Sequence, residues 1–453
     1  MVEKIGVIGL GYVGLPLSCT FASRSFKVIG LDADIEKVEL IQKGKTPVYE
    51  EGLGELLKKV LQEKTFKVTS SYRELVEESE ACFICVGTPS NPDGSVDLRY
   101  VREAVEMLSE CLRRKNSYFL IVIRSTIPPG TTCNLIKKIL DEKSGKTLGE
   151  YGLCFNPEFL REGKALQDIF NPDRIIIGTI DQKSGEILLD IYKKFHGESM
   201  PPTLITSPTN AELIKYANNV FLATKISFIN MISQICQRLP NADVSVVAEG
   251  IGMDKRIGRD FLNAGLGWGG SCFPKDVKAF LKFGQELGLH LKLIESVIEI
   301  NEAQIENAIR LADSLVDGLE GKTISILGLS FKPGTDDVRE SRSIRLIEEL
   351  LKHGSVIKVH DPKALKKARG ILGDKVEYCL TIEECLRDSD LCIIATEWPE
   401  YREIDVEIFE KLMRNPAVLD CRRIYDPEKF RRIKFSALGL GPIPVDQSAG
   451  RRG

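Results

Sequence analysis

The residues best suited to chemistry lie in one run, Gly265-Leu-Gly-Trp-Gly-Gly-Ser-Cys272-Phe-Pro-Lys-Asp276. Glycines around a single cysteine let the backbone approach a ligand and take up positive φ. A cysteine in such a loop is accessible, and Lys275 nearby favours its thiolate, the nucleophilic form. The same run also fits a tight turn holding a small apolar cysteine, since inert buried cysteines are common. Two further places carry groups that could serve a reaction. Lys215 and Asn219 lie four apart and so share one face of a helix. Leu213, Ile214, Tyr216, Ala217 and Val220 surround them, and a cation there is costly without a task or a partner. Glu158 and Glu162 lie in the loop 156–163, Asn-Pro-Glu-Phe-Leu-Arg-Glu-Gly. Taken singly, these also read as a surface lysine, a satisfied amide and solvated loop acids.

The elements that must position these groups follow from hydrophobic patterning. Residues 4–8 read as a buried parallel strand, and Gly9-Leu-Gly11-Tyr12-Val13-Gly14 opens a helix that runs to Ala22. A second strand, 27–31, ends at Asp32. Strand, G-x-G-x-x-G, helix, strand and acid together make the dinucleotide fingerprint. The first two glycines admit the pyrophosphate, the third packs helix on strand, and the helix N-terminus attracts phosphate. Asp32 suits both hydroxyls of a ribose and repels a 2′-phosphate, which predicts NAD rather than NADP. Further strands are expected at 66–69, 81–86, 118–123, 151–155, 174–178 and 203–205. Polar residues at their carboxyl ends, Thr88 and Arg124-Ser125-Thr126 among them, then line a ligand crevice. Cys82 and Cys85 have Cys-x-x-Cys spacing but face opposite sides of a strand.

Thr209 and Glu212 have capping-box spacing, and neither Gly nor Pro interrupts the chain from there to Pro240. A long helix is predicted, able to run from one domain to the next. Its apolar residues Phe221, Ile226, Phe228 and Ile229 are more than one small domain can cover, which predicts a two-fold interface. A helix near 242–249 follows, and 277–317 reads as helical. After a linker, Gly318-Leu-Glu-Gly321, strands at 322–327, 356–359, 391–395 and 417–419 build a second open α/β domain. The loop after its first strand, Gly328-Leu-Ser-Phe331-Lys332, is not a dinucleotide fingerprint. The predicted class is α/β: two Rossmann-like doubly wound domains joined by a long central helix and a helical dimerisation region. The expected division is 1–207 for NAD, 208–317 for the central region carrying the cysteine, 318–440 for the second α/β domain and 441–453 as a tail. The tail from about Gln447 on is expected to be disordered.

Composition narrows the class. Of 453 residues, 43% are hydrophobic and 28% charged, with a net charge of −3, which argues against a broad nucleic-acid surface. No apolar run approaches the ~18 residues of a membrane helix, and the N-terminus shows no secretory core. Twelve scattered cysteines fit a reducing cytoplasm. No metal site is expected.

Taken together, GLGYVGLPL (9–17), VGTP (86–89), ST-x-PPGTT (125–132), NPEFLREG (156–163), AELIKYANN (211–219), GWGGSCFPKD (267–276) and FKPGTDDVRES (331–341) resemble the nucleotide-sugar 6-dehydrogenases. The resemblance spans residues 3–440 and is strongest to the UDP-glucose branch. It implies oxidation of a sugar CH₂OH to carboxylate with two NAD, UDP-glucose giving UDP-glucuronate through a cysteine thiohemiacetal and thioester. By motif, Cys272 is the implied nucleophile and Glu158 activates the hydrolytic water. Lys215, Asp276 and Thr126 manage the first proton removal and the oxyanion, to which Asn219 also donates.

The implied cofactor contacts are Gly9, Gly11, Tyr12, Val13, Gly14, Asp32, Lys37, Thr88, Thr126, Glu162, Lys275 and Arg339. The implied substrate contacts are Glu158, Phe159, Leu160, Arg161, Glu162, Lys215, Asn219, Phe261, Leu262, Asn263, Ala264, Gly265, Gly269, Phe331, Lys332 and Arg422. Arg256 matches a residue that reaches a neighbouring subunit's diphosphate, within a homodimer or higher homo-oligomer. Asn263 replaces a lysine common in some members, and Cys421 replaces a glycine. None of His196, His290, His353 and His360 falls in these motifs, so a histidine base is not expected. A sister enzyme for GDP-mannose or a UDP-N-acetylhexosamine, or a non-catalytic binding protein, remains open at this stage.

Overall fold

The computed structural model describes residues 2–24 and 26–442. The tail residues of the expected disorder, from Gln447 on, lie outside them. Among the described residues fourteen strands form two sheets. The first contains β1 (Lys4–Ile8), β2 (Lys27–Leu31), β3 (Phe66–Thr69), β4 (Ala81–Ile84), β5 (Phe119–Ile123), β6 (Tyr151–Phe155), β7 (Ile175–Thr179) and β8 (Thr203–Thr206). The second contains β9 (Thr323–Leu327), β10 (Val356–His360), β11 (Glu377–Tyr378), β12 (Leu391–Ile394), β13 (Ala417–Asp420) and β14 (Lys434–Ala437). Their spatial orders are β3-β2-β1-β4-β5-β6-β7-β8 and β11-β10-β9-β12-β13-β14. Each order reverses direction once, beside β1 and beside β9, and that switch point is where open α/β sheets bind ligands.

Alternation along the central strands explains the layering. Ile5 and Val7 face a core with Phe21 and Phe83, whereas Ile8 faces another with Leu108 and Phe155. Ile324 and Ile326 face a core with Leu346 and Leu350, whereas Leu327 faces Trp398 and Phe409. Both faces of each sheet are buried, so these strands read as continuous apolar runs.

The chain divides into two compact units. One holds residues up to Asn218 with Lys278–Phe283, and the other holds Asn219–Val277 with residues from Gly284 on. Among the described residues no helix is long and apolar enough to cross a membrane.

Four expectations need correction. First, β7 runs antiparallel to β6. The segment between them carries only the short helix Ala165–Phe170; it is largely an irregular loop rather than a helical crossover, so the chain re-enters the sheet reversed. Second, the long helix runs Pro208–Cys236, so Thr209 lies within its first turn rather than at the cap. Ser207 Oγ accepts the Asn210 N–H instead. Glu212 is buried and accepts from the Gly130 N–H, the Thr132 N–H and the Thr132 hydroxyl. Burial pushes the Glu212 carboxyl up to about 7, although these hydrogen bonds oppose the shift. Third, the stretch 277–317, expected to be helical, is interrupted: it holds two helices, Phe273–Glu286 and Lys292–Val316. The break is a turn at Gly288, φ 75°, the left-handed conformation that glycine allows after a helix. Fourth, Phe221 and Phe228 are exposed on the long helix, but Ile226 is half-buried and Ile229 fully buried. Ile229 packs with Val244, Ala248 and Leu262.

Candidate functional site

In the first unit the glycine loop after β1 divides its labour. A Cβ at Gly14 would lie 1.8 Å from the Gly9 carbonyl oxygen, so this position must be glycine for the helix to close on the loop. Gly9, at φ 91°, abuts the backbone of Cys85 and Val86. Gly11 has no protein atom within 4 Å of its Cβ position, so a ligand can approach its backbone. The helix Gly14–Ser23 starts without a side-chain cap and without an acid in its first turn. Its free amide dipoles therefore suit a phosphate.

Asp32, buried at the end of β2, accepts from Leu10 N at 2.8 Å and Asp34 N at 3.1 Å and pairs with Lys37 at 3.0 Å. A carboxylate so held presents fixed oxygens to a ribose. These residues fit NAD. Thr88 is buried beyond β4, and Thr126 is half-buried beyond β5.

The loop after β6 brings two of the candidate residues together. Lys215 Nζ donates to Glu158 twice, to its carbonyl at 2.6 Å and to Oε1 at 2.8 Å. Glu158 Oε2 also accepts the Leu160 N–H at 2.7 Å. Burial alone would push the Glu158 carboxyl up. Lys215, the Leu160 amide and the charge of Arg124 outweigh burial and hold it below the usual carboxylate range. Lys215 also lies 5.4 Å from the Phe159 ring centre, and Arg174 lies over the same ring at 4.1 Å. Arg161 is exposed and pairs with Asp168 at 2.5 Å.

Sequence reasoning named Arg124 and Asn156 but missed Glu50 and the contacts that hold this loop. Glu50 accepts the Gly163 N–H at 2.9 Å and the Ala165 N–H at 2.6 Å. Arg124 donates to Asn156 and, at 3.2 Å, to the Tyr192 hydroxyl. Glu50 lies far away in sequence in a stretch with no periodicity, so nothing pointed to it.

In the second unit Cys272 stands at the start of the helix Phe273–Glu286, its carbonyl accepting the Asp276 N–H at 2.8 Å. It is the exposed one of the twelve cysteines, none of which is in a disulfide. By contrast, burial pushes the Cys85 thiol up to about 12 and Cys82 well above the ordinary thiol range. The amides of a helix N-terminus favour an anion at the Cys272 sulfur. Asp276 is buried and accepts from Asn219 Nδ2 at 2.7 Å and Lys275 Nζ at 2.5 Å.

Several implied substrate contacts gather on the same loop. A Cβ at Gly265 would meet the Arg422 side chain at 3.3 Å. One at Gly269 would lie 2.2 Å from the Glu340 carbonyl, and one at Gly270 2.7 Å from the Phe331 ring. Arg422 donates to the Ala395 carbonyl at 2.6 Å and lies 3.4 Å from Glu397. Phe261, φ 63°, faces Phe273 with ring centres 6.1 Å apart. Leu262 and Ala264 are buried, whereas Asn263 is exposed. Lys332 lies 5.6 Å from the Phe331 ring centre. Arg339 pairs with Asp337 at 2.6 Å, and the exposed Arg256 pairs with Asp254 at 2.6 Å. Among the described residues no group of three or more His, Cys, Asp or Glu could hold a metal ion.

A sheet shaped for NAD, in a chain that also presents an accessible thiol at a helix start, is the equipment of a nicotinamide-dependent dehydrogenase. Comparison with known proteins makes this specific. Residues 3–196, 209–303 and 325–427 match, in turn, the NAD binding, central and UDP binding domains of one family. A UDP-glucose 6-dehydrogenase of Bacillus subtilis (strain 168) is 41% identical over 439 residues, 97% of this chain and 93% of that protein. A UDP-glucose 6-dehydrogenase of Haloferax volcanii is 38% identical, covering 93% of this chain and 97% of the other. Among solved structures, a UDP-glucose dehydrogenase from Pyrobaculum islandicum superposes with TM-score 0.90 at 41% identity, covering 97% of this chain and 98% of that one. A UDP-D-ManNAc dehydrogenase from Pyrococcus horikoshii superposes with TM-score 0.85 at 27% identity, covering 96% and 99%. The chain belongs to the UDP-glucose/GDP-mannose dehydrogenase family of NAD-dependent oxidoreductases.

Proposed function

We propose that this protein oxidises C6 of UDP-glucose from alcohol to carboxylate, giving UDP-glucuronate, with Cys272 as the covalent nucleophile. The observation that carries the reading is the exposed Cys272 thiol on a glycine loop, beside Asn219, Lys275 and Asp276. NAD, when bound, takes up the hydride in each of the two oxidations.

The residues divide the remaining work. Lys215, as a cation, stabilises the alkoxide that the first oxidation requires, and Asn219 donates to the same oxygen. The Cys272 sulfur adds to the C6 aldehyde, and the oxygen of the resulting thiohemiacetal gains a proton. The second oxidation leaves a thioester, which is hydrolysable because a thiolate departs readily. Glu158 takes a proton from the attacking water. Lys215, the Leu160 amide and Arg124 hold this carboxyl ionised and oriented, so it is in the form that accepts a proton. Water supplies the second carboxylate oxygen, and Cys272 regains its thiol.

Residues 1–207 serve as the NAD domain, 208–317 as the central region and 318–440 as the sugar-nucleotide domain. Phe221, Phe228, Met231 and Ile235 leave an exposed apolar stripe on the long helix, which supports pairing with a second copy. In that dimer Arg256 reaches the neighbour's diphosphate. A cytoplasmic location suits twelve cysteines of which none is in a disulfide.

The test is NADH formation with UDP-glucose, UDP-N-acetylhexosamines and GDP-mannose in parallel. UDP-glucose is expected to exceed the others in kcat/KM by at least about tenfold, ~1.4 kcal/mol in barrier, and to yield two NADH per sugar. Faster turnover of an N-acetylated or guanosine sugar nucleotide would reassign the substrate.

A further inference from the structure

The run Gly265–Trp268 belongs to no helix or strand, yet five of its backbone groups are held by buried side chains. Asn230 Oδ1 accepts the Gly265 N–H at 2.8 Å, and Gln304 Nε2 donates to the Gly265 carbonyl at 2.8 Å. Arg342 Nε donates to the Leu266 carbonyl at 3.2 Å. Asn301 then grips one residue at both ends: its Oδ1 accepts the Trp268 N–H at 2.7 Å, and its Nδ2 donates to the Trp268 carbonyl at 3.1 Å. The Trp268 indole donates to Ser227 Oγ at 3.0 Å.

All five holding side chains are buried, with Asn301 at 1% exposure and Gln304 at 0%. They lie on three helices: the long helix, Lys292–Val316 and Arg342–Lys352. Buried amides at such positions are costly unless fully paired. Here Asn301 is paired to the loop that leads to Cys272 through both oxygen and nitrogen, Gln304 through Nε2 and Asn230 through Oδ1, while Asn230 Nδ2 has no hydrogen-bond partner among the described residues.

The fit is mutual. Gly267 sits at φ 108°, and a Cβ there would lie 2.3 Å from Asn301 Oδ1. An amide carries its acceptor and its donor on separate atoms, so Asn301 accepts from the Trp268 N–H and donates to the Trp268 carbonyl at once. A carboxylate could do only the first, and an apolar residue neither.

From this geometry we infer that Asn301 is a positioning residue for the reaction: its two-point grip on Trp268, supported by Gln304 on Gly265, fixes the loop that aims Cys272. The inference rests on the proposed role of Cys272 as nucleophile. Small displacements of a reacting group cost large factors in rate.

The experiment compares Asn301→Ala and Asn301→Asp with the native enzyme at a temperature where all are folded by circular dichroism. Steady-state kinetics are measured alongside the rate of Cys272 alkylation by iodoacetamide, followed by peptide mass. Alkylation needs neither sugar nor cofactor. Asn301→Ala is expected to lower kcat by at least about tenfold, to leave KM for NAD within about twofold and to shift the alkylation rate by at least about threefold. Asn301→Asp keeps the bond to the Trp268 N–H and is expected to retain more kcat than Ala. Because it buries a charge, it should nonetheless melt at the lower temperature. Activity and stability then rank the two variants in opposite orders, which a merely structural role cannot produce.

Unchanged kcat and alkylation in a folded Asn301→Ala overturn the inference. So does a fall in kcat with alkylation unchanged. If neither Asn301 variant folds, Gln304→Met replaces them, with a fall in kcat of about threefold expected and native kcat overturning the claim. Normal turnover by Cys272→Ala would instead overturn the reading of the cysteine, and the alkylation comparison would still report on the loop.

Discussion

The two sheets solve the same topological problem and end with opposite sites. In each, the central strand runs into a loop at the switch point, and the neighbouring strand ends in an aspartate that reaches back to that loop. Asp32 does this after β2, accepting two backbone N–H groups and pairing with the half-exposed Lys37. Asp361, after β10, is saturated by its own chain. Its Oδ2 accepts from Leu329 N, Ser330 N, Ser330 Oγ and Trp398 Nε1, and its Oδ1 accepts from Lys363 N and Ala364 N. Beside it, His360 Nδ1 meets the Tyr401 hydroxyl at 2.9 Å, and burial lowers the His360 pKa. The lesson is that a switch point binds a dinucleotide only where the chain leaves room for it. The first sheet offers an open glycine at 11 and an aspartate with capacity to spare. The second fills the corresponding space with Trp398 and spends its aspartate on folding.

The comparison can be broken by exchanging the fates of the two acids. Asp361→Ala leaves buried donors unpaired, so the second unit should lose on the order of 4 kcal/mol in stability. NAD affinity should stay within about twofold. Differential scanning calorimetry and NAD titration check this, and a variant of native stability would show that Asp361 is not the anchor of its loop.

Asp32→Ala should do the converse on a smaller scale. Stability should fall by under about 2 kcal/mol. NAD binding should weaken by at least about tenfold, ~1.4 kcal/mol, and the preference for NAD over NADP should shrink by a similar factor. Isothermal titration with both cofactors separates these effects; unchanged discrimination would mean that Asp32 does not face the ribose.

Much of this organisation was legible in the sequence, and the reasons are physical. The glycine fingerprint and the acid at the end of β2 encode local backbone geometry, so spacing alone located them. The two apolar strand series marked both sheets, and the uninterrupted run after Thr209 marked the long helix. The pairing partners were not legible. Glu212 had the spacing of a cap, but a buried acid binds whichever donors the fold presents, here those of Gly130 and Thr132. The reversal of β7 depends on how a loop crosses the sheet, which no short-range pattern reports. Asn230, Asn301 and Gln304 could have been suspected as amides at inward positions of apolar helices. Their targets, Gly265 and Trp268, are separated from them by long stretches of chain.

The central claim is that one cysteine carries the sugar through both oxidations and that Glu158 drives its release. The most direct measurement is the intact mass of Glu158→Gln mixed with UDP-glucose and NAD, read together with stopped-flow NADH absorbance. The account predicts a rapid burst of NADH followed by slow turnover, with the sugar nucleotide held as an acyl adduct that maps to Cys272. No adduct should form when Cys272→Ala is added to the same chain. Unmodified protein, with NADH rising steadily at the native rate, would contradict both the thioester and the role of Glu158.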